Sequence, residues 1–178
     1  MRYIKKLFLA GVLALAVMLT GCGDPGTPPE LIIDGVSIVV GETTMSSMEE
    51  QGFTTDWFGI MPEDSYTTIS LGKDHDSRGM YTIVNDSDRS CALSAGVIYG
   101  VKLQDLDEKE LDFDVTVNGV SLVGMTKEEL AAAYPEMEYD EYEENADSDY
   151  YSMRDGDYSV FVWFTDGVMN SIHVDCHY

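Results

Sequence analysis

The run Ile33-Asp34-Gly35-Val36-Ser37-Ile38-Val39 returns, with conservative changes, as Val117-Asn118-Gly119-Val120-Ser121-Leu122-Val123. A glycine and a threonine-led helical stretch follow each run. A second match lies further on, where Gly96-Val97-Ile98-Tyr99-Gly100-Val101-Lys102-Leu103 aligns with Gly167-Val168-Met169-Asn170-Ser171-Ile172-His173-Val174. Two matched ends in one order mark an internal duplication. The copies are repeat 1, residues 31–105, and repeat 2, residues 112–178, and a repeated unit must bury its apolar face against something.

Repeat 2 shows the plan more plainly. Asp112 to Val123 alternates apolar and polar residues as a strand does, with Asn118-Gly119 as a bend. Thr126-Lys127-Glu128-Glu129 has the form of a capping box, and Leu130, Ala133, Tyr134 and Met137 then fall on one helical face. Pro135 ends the helix near Tyr134. An acidic loop, a short strand over Tyr150–Arg154, and a hairpin of Tyr158–Thr165 with Val168–Cys176 around Asp166-Gly167 follow. Repeat 1 repeats this as a strand over Leu31–Val40, a helix over Met45–Gln51, and strands over Tyr66–Leu71, Met80–Val84 and Cys91–Leu103. The predicted class is α+β: two tandem repeats, each a strand, a short helix and an antiparallel meander of about three strands.

Gly124-Met125-Thr126-Lys127-Glu128-Glu129-Leu130, with Phe164-Thr165-Asp166-Gly167-Val168 later, resembles the small outer-membrane lipoproteins of the SmpA/OmlA type. The tandem arrangement is similar to the β-lactamase inhibitory proteins of the same superfamily. Tyr134-Pro135 departs from the Gly-x-Pro that often follows the helix there. The resemblance implies a layered α+β fold and a partner bound across a sheet.

The N-terminus has the build of a secretory signal. Arg2, Lys5 and Lys6 precede an apolar core of 13 residues, Leu7 to Leu19. That core is shorter than the roughly 18 residues a spanning helix needs. Leu19-Thr20-Gly21-Cys22 resembles a bacterial lipobox, which implies cleavage of residues 1–21 and diacylation of Cys22. Residues 22–30, rich in Pro and Gly, are expected to be a flexible linker. The location implied is the extracytoplasmic face of the cell membrane, reached through the lipid alone.

Removing the signal leaves seven Lys and Arg against 33 Asp and Glu. So negative a chain repels nucleic acid and anionic lipid surfaces. Its two remaining cysteines, Cys91 and Cys176, form an even pair in an oxidising compartment, where a disulfide between them is expected.

No nucleophile elbow, zinc-protease helix or phosphate-cradling loop occurs, and no enzyme activity or cofactor is implied. No metal site is assigned; His173, Asp175 and His177 alternate at the C-terminus and are the side chains a metal would use. Both faces of the last hairpin are rich in apolar residues. One face is therefore either packed between the repeats or a contact surface. The residues expected to touch a protein partner are Tyr158, Val160, Val162, Trp163 and Phe164, with Asp155 and Asp157 beside them. The function expected is non-catalytic binding by a lipid-anchored protein. The alternatives are inhibition of a secreted or envelope enzyme, of β-lactamase or peptidoglycan-processing type, and an accessory role in envelope assembly.

Overall fold

A computed structural model describes residues 25–73, 76–104, 111, 113–141 and 148–177. Lipidation at Cys22 and the signal segment lie outside these residues. The chain opens with β1 (Glu30–Ile33) and β2 (Val36–Val39), joined at Asp34-Gly35. The equivalent run gives β9 (Val115–Val117) and β10 (Val120–Ser121), joined at Asn118-Gly119. The alternation predicts one strand in each place, but the turn residues divide it. Asp34 and Gly35 have φ of 46° and 77°, and Asn118 and Gly119 have 48° and 80°. Two successive left-handed residues match the twist of a tight hairpin, and Asn-Gly and Asp-Gly adopt them at low cost.

Between these hairpins lie α1 (Met45–Glu50), β3 (Phe53–Thr54), β4 (Ile60–Met61), β5 (Ser65–Lys73), β6 (Asp76–Asn85), β7 (Cys91–Ala92), a 3₁₀ turn at Leu93–Ala95, and β8 (Val97–Gln104). After the second hairpin come α2 (Lys127–Ala133), β11 (Glu138–Glu141), β12 (Ser148–Asp155), β13 (Tyr158–Thr165) and β14 (Val168–Cys176). Each helix starts on a threonine whose hydroxyl accepts from the third helical amide: Thr44 from Ser47 and Thr126 from Glu129. The Glu129 carboxylate accepts in return from the Thr126 amide at 2.9 Å, completing the capping box. Leu130 and Tyr134 are buried, whereas Ala133, placed by its spacing on the same stripe, is exposed because the helix ends there.

The fold is mostly β rather than balanced α+β, with strands outweighing helices 54% to 12% among the described residues. Helices of six and seven residues cannot cover a sheet of eight strands. A second sheet shares that task. The two hairpins join through β1 and β9 into a four-stranded sheet of order β10-β9-β1-β2. The large sheet runs β11-β12-β13-β14-β8-β6-β5-β3, and β4 and β7 form a separate pair.

Both main sheets read alike from either end. Antiparallel pairing puts Ile32 opposite Thr116 and Lys102 opposite His173. These are the residues that the sequence matches equate, so each seam sits on an approximate two-fold axis. The resemblance of the halves extends to irregularities. The register slips between Thr82 and Ile83 against β8, skipping Tyr99, and between Trp163 and Phe164 against β14, skipping Asn170. Tyr99 and Asn170 are equivalent positions. The two spans, 31–105 and 112–178, are not separate bodies but contribute to one buried cluster, in which Leu31, Ile33, Val115 and Val117 join Val162, Phe164, Val101 and Leu103.

The residues before β1 are bound to the fold rather than loose. Thr27 N–H donates to the Asp155 carboxylate (2.9 Å), and Asp157 N–H donates to the Pro25 carbonyl (3.0 Å). The Gly26 and Gly156 backbones touch so closely that a Cβ on Gly26 would lie 2.1 Å from the Asp155 carbonyl oxygen. The segment expected as a linker over 22–30 thus makes contact with the β12–β13 turn at Pro25 and Thr27.

The bulge at Asn170 also decides which side chains are inside. It turns Ile172 and Val174 inward to join Val160, Val162, Phe164 and Met169 in the core, and turns His173 outward beside Phe161 and Trp163. Truncating Phe164, which is fully buried, removes a large aromatic side chain from a packed interior. Phe164→Ala is expected to lower unfolding stability by about 3–5 kcal/mol in urea titration, with a smaller loss for Trp163→Ala. Equal losses would place Trp163 in the core as well.

Candidate interaction surface

The outer face of the large sheet carries a continuous cross-strand row. Ser152 pairs with Phe161, Phe161 with His173, His173 with Lys102, Lys102 with Met80, and Met80 with Ser70. Beside it, Tyr150 pairs with Trp163. The aromatic members are in contact. The Tyr150 and Trp163 rings stack at 5.7 Å, Phe161 and Trp163 lie 5.6 Å apart, and the His173 ring is 4.3 Å from Trp163. All four are half-buried, while Lys102 and Met80 are exposed. A flat aromatic patch with a charged margin is the composition that interface anchors favour.

His173 is the titratable centre of this patch. Burial, together with the Lys102 ammonium across the strand, pushes its pKa down to about 4. Its Nε2 is buried and has no hydrogen-bond partner among the described residues. The ring is therefore neutral at pH 7 and acts as one more aromatic surface. Asp175, two residues on, has its pKa raised by burial, an effect that the His177 ring partly offsets. Gly100 makes room for this carboxylate, since a Cβ there would lie 2.6 Å from Asp175 Oδ1.

The His177 ring lies beyond the end of β14 with Nε2 2.9 Å from Ser159 Oγ. No group of three or more metal-capable side chains comes together among the described residues. Cys91 and Cys176 are both free thiols, so the expected disulfide is not formed. Cys91 stands on β7 of the two-stranded sheet, and Cys176 ends β14 of the large one. Burial, followed by the Asp157 charge, pushes the Cys176 thiol up, with a Tyr158 hydrogen bond opposing both. No described helix is long and apolar enough to cross a membrane.

Of the residues expected to meet a partner, only Trp163 belongs to this patch. Val160, Val162 and Phe164 are core residues and unavailable for contact. Tyr158 is half-buried at the far end of β13, where its hydroxyl approaches Gly41 and Cys176. Counting register straight back from Asp166-Gly167 puts Val162 opposite Ser171; the bulge makes that partner Ile172. The consecutive polar pair Asn170-Ser171, which interrupts the alternation of β14, is the sequence signal for the slip. Tyr150, Phe161 and His173 are the surface residues that straight register misplaced or passed over.

Comparison with protein-family models, with curated proteins and with solved structures finds no match.

The His173 shift has a readable consequence. The unfolded state takes up its proton near pH 6.5 and the folded state only near pH 4. His173 thus adds stability that is complete above about pH 6.5 and falls as pH drops toward 4. Asp175 works in the opposite direction, because the folded state protonates it first. His173→Phe is expected to flatten the fall in melting temperature between pH 6.5 and 4. An unchanged pH profile would show that the ring is not held neutral.

Proposed function

We propose that this protein is a lipid-anchored binding protein on the extracytoplasmic face of the cell membrane. It captures a protein partner on the Tyr150–Trp163–His173 surface and catalyses no reaction. The observation that carries this reading is an inequality between matched positions. By the strand register, Tyr150 and Trp163 occupy the places that Thr68 and Thr82 occupy in the first half, where the two hydroxyls lie 3.5 Å apart. The frame is satisfied by small polar residues at these sites. The aromatic pair is therefore surplus to the sheet's own needs, and half-buried aromatic rings supply the contact area that binding hot spots use.

Two further points support the reading. The buried Nε2 of His173 has no hydrogen-bond partner, nucleophile included, among the described residues, and a thiol with a raised pKa yields little thiolate at neutral pH. The strongly acidic chain favours a partner with a basic margin. Inhibition of an envelope enzyme, the role that the resemblance implies, is a narrower form of the same proposal.

A photo-crosslinking residue at Tyr150 in intact cells is expected to give a discrete protein adduct, whereas one at Ser37, exposed on the small sheet, gives none. With the captured partner, Trp163→Ala is expected to weaken binding about tenfold or more, the loss of a hot-spot side chain. Adducts of equal yield from both positions would overturn the surface assignment. Cys22→Ser is expected to move the protein from the membrane fraction to the soluble one. Retention in the membrane would remove the lipid anchor from the account.

A further inference from the structure

The two ends of the large sheet are not finished in the same way. In the second half, β11 pairs four residues along β12: Glu138 with Ser152, Tyr139 with Tyr151, Asp140 with Tyr150, and Glu141 with Asp149. The Tyr139 ring packs on Tyr151 at 5.2 Å, and its hydroxyl donates to Asp149 at 2.9 Å. Asp149 is tied in turn to Lys127 of α2. That edge is closed by the chain itself.

In the first half, β3 begins the same closure and stops. Phe53 and Thr54 pair with Lys73 and Gly72 of β5, and pairing goes no further. Continuing that register would bring residues 56–59 opposite Ser70, Ile69, Thr68 and Thr67, the counterparts of the positions that β11 covers. The chain instead leaves the sheet. The Trp57 amide turns to the Thr55 hydroxyl at 3.2 Å, Gly59 accepts from the Leu93 amide at 3.2 Å, and Ile60–Met61 pairs with Cys91–Ala92. These local bonds hold the departing segment on the β4–β7 pair.

The result is a cavity of about 580 Å³, bounded by Thr68, Ile69 and Ser70 on the sheet side and by Thr54, Asp56 and Trp57 on the other. Among the described residues no strand lies beyond Tyr66 to Ser70. These five residues leave a row about 17 Å long whose outward backbone groups are ready to pair. The second half supplies the template for the occupant: an antiparallel strand of about four residues, with an aromatic side chain opposite Ile69 where Tyr139 stands opposite Tyr151.

We propose that the free edge of β5 is a strand-accepting site, which binds an extended segment of a partner protein by adding it to the sheet. Main-chain hydrogen bonds supply the affinity, and an aromatic residue set between Ile69 and Trp57 supplies the selection. Asp56 and Asp76 line the cavity, so the segment carries lysine or arginine beside its aromatic residue. The same charge disfavours a second copy of this chain as the occupant, because two chains of net charge −23 repel. This site is separate from the aromatic patch and stands or falls without it.

The test uses a synthetic eight-residue peptide, KTVTYTVK, blocked at both ends, and the same peptide N-methylated at alternate residues on the edge that faces β5. Amide hydrogen exchange on the soluble protein (residues 25–178) reads the site. The unmodified peptide is expected to slow exchange of amides within Tyr66–Ser70, and N-methylation to weaken it at least tenfold. Trp57→Ala is expected to lower affinity while leaving the exchange of β13 and β14 unchanged. No protection of β5 at millimolar peptide would overturn the proposal, as would equal binding by the N-methylated peptide. Dimers in sedimentation, dissociated by Thr68→Lys, would instead assign the edge to a second copy.

Discussion

Antiparallel pairing of β8 with β14 joins the large sheet at its middle, and pairing of β1 with β9 joins the small one. Either half alone would present an unpaired strand at both places. The first seam is reinforced by Ser171, whose hydroxyl donates to the Leu103 carbonyl at 3.1 Å across the strands. Because both seams fall on equivalent residues, one approximate two-fold operation relates the halves throughout. A pair built this way hides its own edges in the centre and leaves only β11 and β3 at the ends of the large sheet.

From this constraint the proposed binding surfaces follow. The large sheet has one face in the shared core and the other turned outward, and the second half furnishes its outer positions with rings where the first has threonines. The sheet end that the second half closes with β11, the first leaves open after Thr54. Duplication thus supplies a frame, and the proposed binding surfaces lie where the halves differ. His173 stands on the seam itself, with Lys102 opposite and Trp163 at 4.3 Å, so the neutral ring links the frame to the patch.

Much of the frame was legible in the chain. The hairpin at Asp166-Gly167, the Thr126 capping box and the correspondence of the two runs all rest on local chemistry, in which each residue acts within a few positions of itself. The fold class was not legible, because Asp34-Gly35 and Asn118-Gly119 can bend a strand or reverse it. The difference lies in the partner strand, which comes from the other half. The contact surface failed for a similar reason. Alternation along β13 leaves open which of its faces meets the core, and the skipped residue at Asn170 exchanges the faces of β14 beyond it, so Ile172 and Val174 join Val160, Val162 and Phe164 inside while His173 joins Phe161 and Trp163 outside. A disulfide between Cys91 and Cys176 was a matter of counting, and counting carries no information about which sheet each cysteine joins. The open edge of β5 is visible only when the halves are compared in space.

Native-state hydrogen exchange in rising denaturant tests the interlocked frame most directly. The amides of Val101, Leu103, Ile172 and Val174, with those of Ile33 and Val117, are expected to merge into one unfolding isotherm at a single free energy. Separate isotherms for residues 31–105 and 112–177, one at a distinctly lower free energy, would contradict it.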